Sequence, residues 1–172
     1  MELDQLYESA ARLKSLGVIV DTYSGSGGLE DEVDEADSMV LSDLMEYICV
    51  RYPQDRPAWL EALYQVMAWQ FETFHEWAGG YYDNSYGDSP YELQVKTADF
   101  LHENRYSGIE TPYRRGMTPC GKGCYPKELS PLAQEIRAWM WDNTEAVWLF
   151  CLDLLERHRG DWPEPRGREP DV

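Results

Sequence analysis

Residues 130–160 read SPLAQEIRAWMWDNTEAVWLFCLDLLERHRG, and the periodicity of this stretch decides the fold class. Leu132, Ile136, Trp139, Met140, Asn143, Val147, Phe150, Cys151 and Leu154 recur at intervals of three and four, which places them on one side of a helix. Trp141, Trp148, Leu152 and Leu155 form a second stripe roughly opposite, so only the arc of Glu135, Asp142, Glu145, Asp153 and Glu156 is left for water. Ser130-Pro131 supplies the starting chemistry and Gly160 a stop. The spacing therefore predicts one continuous helix over 131–158. A helix apolar on two sides is central to a bundle or half of an interface; the expectation puts it near the centre of the domain, with a homodimer through 131–158 left open.

Outward from that stretch, the same period recurs. Leu3, Leu6, Tyr7, Ala10 and Leu13 mark a helix that Gly17 can end. Leu41, Leu44, Met45, Ile48 and Tyr52 mark a second, stopped by Pro53, although Tyr47 to Tyr52 also has the composition of a strand. Trp59, Leu63, Val66, Met67, Gln70, Phe74 and Trp77 line a third, entered through Asp55 and Pro57 and closed by Gly79 and Gly80. Ser89-Pro90-Tyr91-Glu92 is a capping box for a fourth that runs to about Asn104. Residues 105–129 follow neither period and contain Gly108, Pro112, Gly116, Pro119, Gly121, Gly123 and Pro126, so they are expected to form one long irregular loop. The expectation is an all-α protein of five or six helices, bundle-like, with residues 1–160 as a single domain. Residues 161–172, with three prolines, are expected to form an extended tail.

Charge is the strongest functional signal. Asp and Glu number 32 against 15 Lys and Arg, a net charge of −17. Residues 1–60 hold 13 acids and 4 bases, and 61–104 hold 8 acids and Lys96 alone, whereas 105–129 reverse the sign through Arg105, Arg114, Arg115, Lys122 and Lys127. This balance argues against direct binding to nucleic acid or anionic membranes, both of which need basic side chains to displace counterions. It favours a basic protein partner, with solubility alone as the plain alternative. Met1 to Leu16 resembles neither a secretory signal nor a transit peptide, and no apolar run reaches membrane-spanning length, so a cytoplasmic location is expected. In that compartment Cys49, Cys120, Cys124 and Cys151 are expected as thiols or ligands rather than a disulfide framework.

Three groups of residues carry possible chemistry. Cys120-Gly121-Lys122-Gly123-Cys124 places two thiols in a basic, glycine-rich stretch, and the sequence leaves a metal site, a labile disulfide and two ordinary thiols all open. His102 is placed by the helical wheel on the face of Tyr91, Val95 and Ala98, either as a hydrogen-bonded core residue or as a partner of Cys120 and Cys124 in a small metal- or thiol-dependent enzyme. Glu72-Thr73-Phe74-His75 has the spacing of helical di-metal sites, but the wheel turns Glu72 and His75 away from the apolar face and no core carboxylates complete such a centre. No phosphate-cradling or hydrolase motif is present, and no cofactor is implied. The expectation is an interaction module, resembling an immunity protein or inhibitor in its physics, that neutralises a basic partner such as a toxin or nucleic-acid enzyme. Its contact would use Glu30, Asp31, Glu32, Asp34 and Glu35 together with Trp77, Tyr81, Tyr82, Asp83, Tyr86 and Asp88, where tyrosines offer area at low entropic cost. A DNA mimic of the phage antirestriction type is the alternative binding reading.

Overall fold

The computed structural model describes residues 3–16, 40–52, 55–75, 78–83, 90–117 and 130–164. Eight helices and no strand occur among them: α1 (Leu3–Leu16), α2 (Val40–Arg51), α3 (Ala58–His75), α4 (Ala78–Asp83), α5 (Pro90–Glu103), α6 (Ser107–Gly116), α7 (Ser130–Asp142) and α8 (Thr144–Arg157). The all-α class follows from the periodicity. The helix count exceeds five or six for three local reasons: α4 is an extra short helix, α6 lies inside the expected loop, and the 131–158 helix is split. Contacts gather the chain into two compact units, Met1–Pro57 with Leu152–Val172, and Ala58–Cys151, the boundary falling within α8.

In the first unit α1 packs on α2. Leu44 and Ile48, one turn apart, are fully buried, so the Tyr47 to Tyr52 stretch resolves as helix. Tyr7 joins α1 to the chain end: its hydroxyl donates to the Leu155 carbonyl at 2.9 Å and accepts from Trp162 Nε1 at 2.7 Å. The Trp162 ring lies 5.9 Å from Tyr47 and 5.6 Å from Tyr52. Residues 161–164 are non-helical, as expected of a tail, yet this aromatic packing and hydrogen bond dock them.

In the second unit α3 is the hub, packing against α4, α5 and α7. Its only carboxylates are Glu61 and Glu72, and Leu60, Ala62, Leu63, Val66, Met67, Trp69, Gln70, Thr73 and Phe74 are all buried. This corrects the expectation that the 131–158 segment holds the central position there. The second apolar stripe of that segment is nonetheless mostly interior: Trp148, Leu152 and Leu155 are buried, and Trp141 alone is exposed.

The predicted single helix over 131–158 breaks at Asn143. Asn143 Nδ2 donates to the Trp139 carbonyl at 2.8 Å and Thr144 Oγ1 to the Met140 carbonyl at 2.8 Å, while the Asn143 backbone N–H reaches only Met140, three residues back. Side chains that bond backward in this way compete with the regular ladder and bend or end it.

The expected loop over 105–129 is also corrected, because residues 107–116 are helical. Ile109, Tyr113 and Gly116 recur at helical spacing and are buried, and that apolar face outweighs the cost of Pro112 inside the helix. Pro112 forgoes a bond to the carbonyl of Gly108, and Gly108 is exposed, so water can take it. The junction with α5 is a left-handed cap. Arg105 has φ of 64°, its N–H bonds the His102 carbonyl, and the Tyr106 N–H bonds the Leu101 carbonyl.

Candidate functional site

Of the residues expected to meet a partner, Glu30, Asp31, Glu32, Asp34, Glu35, Trp77, Tyr86 and Asp88 lie outside the described residues, and so does the side chain of Asp83. Tyr81 is no surface anchor. It is 7% exposed, because α4 turns its ring onto the core of the second unit, and Tyr82 is half-buried beside it.

These two tyrosines complete a buried polar chain. Gln65 Nε2 donates to Glu61 Oε1 at 2.8 Å, Gln65 Oε1 accepts from the Tyr81 hydroxyl at 2.7 Å, and the Tyr81 and Tyr113 hydroxyls are 2.5 Å apart. Since Tyr81 donates to Gln65, its oxygen must accept from Tyr113, so the donors run in one direction toward the Glu61 carboxylate. Tyr82 donates to the Tyr113 carbonyl at 3.0 Å, satisfying an acceptor in the last turn of α6. Burial, then the neighbouring phenol, pushes Tyr81 well above the ordinary tyrosine range, and burial raises Tyr113 likewise. Both remain neutral donors at ordinary pH. The network links α3, α4 and α6.

His102 is exposed, which corrects its inward placement; the buried face of α5 is Gln94, Thr97, Ala98 and Leu101, and Tyr91 also points out. Its Nδ1 lies 3.1 Å from Glu110, which also accepts from Arg114 Nε at 2.8 Å, and Arg114 reaches Asp99 at 2.8 Å. The Arg114 guanidinium first, and His102 second, hold the Glu110 carboxyl below its usual range. This is a surface ion network between α5 and α6. Cys120 and Cys124 lie outside the described residues, and among the described ones no three His, Cys, Asp or Glu side chains gather to hold a metal ion. Cys151 is fully buried and its thiol is pushed up by that burial, so it is a packing residue rather than a nucleophile.

A cleft of about 300 Å³ lies between α6 and α7, floored by Ile136 and Trp139 and crossed by the Arg115–Glu135 ion pair at 2.6 Å. Trp139 stacks on Trp69 at 5.8 Å, which fixes the floor. The two charged side chains at the mouth pair with each other and are both more than half exposed, so the cleft combines an apolar floor with an ion pair open to solvent.

The described surface feature that stands apart is Trp141, 47% exposed, its ring packed on Phe74 at a centroid distance of 4.5 Å. Asp142 and Glu145 beside it in sequence are exposed, and Leu149 further along α8 is 47% exposed. The periodicity alone predicts Trp141 within an apolar stripe. The sign of its exposure in the sequence is the carboxylate of Asp142 directly after it. No protein-family model matches this sequence, and no curated protein or solved structure matches it. No described helix is long and apolar enough to cross a membrane.

Proposed function

We propose that this protein is an acidic interaction module that binds and neutralises a positively charged protein partner. The observation that supports the reading is how the basic side chains are used. Arg114, Arg115 and Arg157 are ion-paired with carboxylates of the same chain, Arg51 and Arg159 lie over the Tyr47 and Tyr7 rings, and Arg56 donates to the Tyr52 carbonyl. These six cations are thus engaged within the chain and Lys96, Arg105 and Arg137 are exposed, while Asp4, Glu8 and Glu46 in the first unit and Glu92, Glu103, Asp142 and Glu145 in the second are exposed carboxylates. A surplus of 17 negative charges remains to be met from outside. Such a field accelerates encounter with a cationic protein and orients it, and salt screens it over a Debye length of about 8 Å at physiological ionic strength.

The test is retention from native-cell lysate on the immobilised chain, eluted in rising salt. Proteins of high isoelectric point should dominate the retained set and leave as salt rises. A retained set with no basic bias, or one that salt does not release, contradicts the proposal.

A further inference from the structure

We infer that the exposed face of Trp141 is the shelf on which the basic partner lays an arginine side chain, an inference that rests on the acidic-module reading above. Trp141 stands in the last turn of α7. Its indole packs tilted against the buried Phe74 ring, centroids 4.5 Å apart at 56°, and nearly half of the Trp141 surface is exposed. A ring fixed in this way loses little conformational freedom when something stacks on it, which is the property of an interface anchor. Phe71, one turn back along α3 from Phe74, is 36% exposed.

The flanking charges select the occupant. Asp142 is the final residue of α7, and no basic side chain stands in that last turn. Glu145, in the first turn of α8, adds a second exposed carboxylate, and Arg137 is the sole base between residues 130 and 156. A guanidinium fits this setting better than an ammonium, because it is planar, more weakly hydrated and stacks on an indole while its N–H groups reach carboxylates. A second copy of this chain fits poorly, since it would bring its own Asp142 and Glu145 to the same place.

Calorimetric titration of the full chain at low salt, with nona-arginine and nona-lysine as probes, tests the shelf. Trp141→Leu should weaken nona-arginine binding roughly five-fold, Trp141→Phe should recover part of the loss, and nona-lysine should respond less to either change. Asp142→Asn with Glu145→Gln, two surface changes that leave the packing on Phe74 intact, should weaken both peptides and so carries the test if Trp141→Leu fails to fold. Equal nona-arginine affinity in wild type and Trp141→Leu overturns the shelf. In that event the acidic-module reading stands if affinity still falls with salt, whereas no binding by the wild type removes both. A dimer that Trp141→Leu abolishes in sedimentation would assign the face to a second copy and also overturn the inference.

Discussion

Gly116 lies directly beneath the ring of Tyr82: a Cβ at position 116 would overlap Cε2, Cζ and the hydroxyl of that side chain. The ring cannot swing aside without cost, because its hydroxyl is bonded to the Tyr113 carbonyl and it packs 5.1 Å from Tyr81. The close approach ties the end of α6 to α4 and makes glycine obligatory at 116.

Gly116→Ala should therefore destabilise the protein by about 1–3 kcal/mol, the usual cost of forcing a methyl into packed space. Tyr82→Phe should cost about 1 kcal/mol for the lost hydrogen bond. The decisive measurement is a double-mutant cycle in denaturant: Gly116→Ala should cost far less in a Tyr82→Ala background than in the wild type, and additive effects would contradict the contact.

Alkaline pH should unfold the protein through its buried phenols. Burial, then Tyr47, pushes Tyr52 up to about 12, and Tyr7, Tyr81 and Tyr113 are raised as well. A phenol with a higher folded than unfolded value binds its proton more tightly when folded, so its contribution is complete below the ordinary tyrosine value of 10.0 and is lost as pH rises from there through the folded value. Stability measured by denaturant should be flat in this respect up to about pH 10 and fall beyond it, with the buried tyrosinates absorbing only as the chain unfolds. Full tyrosinate absorbance in a still-folded protein at pH 10 would contradict the burial of the Tyr81–Tyr113 pair.

Arg105→Gly should raise stability. Arg105 is exposed and holds φ of 64° at the left-handed cap of α5, where a side chain costs about 1 kcal/mol and glycine costs almost none. A rise in melting temperature of a few degrees is expected for a gain of this size. No change, or a loss, would mean that the Arg105 side chain repays its backbone cost.

Apolar periodicity carried the fold class but not its interruptions. The helices at α1, α2, α3 and α5 were legible because Tyr7, Leu44, Val66 and Ala98 belong to runs in which one face has a uniform character. α6 was hidden by Gly108, Pro112 and Gly116, which signal a loop by composition, although the spacing of Ile109, Tyr113 and Gly116 and the four-residue step from Glu110 to Arg114 were the helical signs. The break at Asn143 depends on two side-chain bonds to carbonyls, which no periodicity reports. Tyr81 misled for a related reason: a tyrosine serves a binding surface or a buried hydrogen bond equally well, and only the nearness of Gln65 and Tyr113 decides between them. His102 missed the core by about one residue of rotation on α5, enough to turn it toward Glu110 and water.

The most direct test of the account is the affinity of the wild-type chain for nona-arginine measured by calorimetry as salt rises from about 0.02 M to about 0.3 M, a range that shortens the Debye length from more than 20 Å to about 6 Å. If exposed carboxylates recruit the partner, the dissociation constant should climb by at least an order of magnitude, with a straight fall in log affinity against log salt. An affinity that stays constant across that range would contradict the claim that this protein works through its acidic surface.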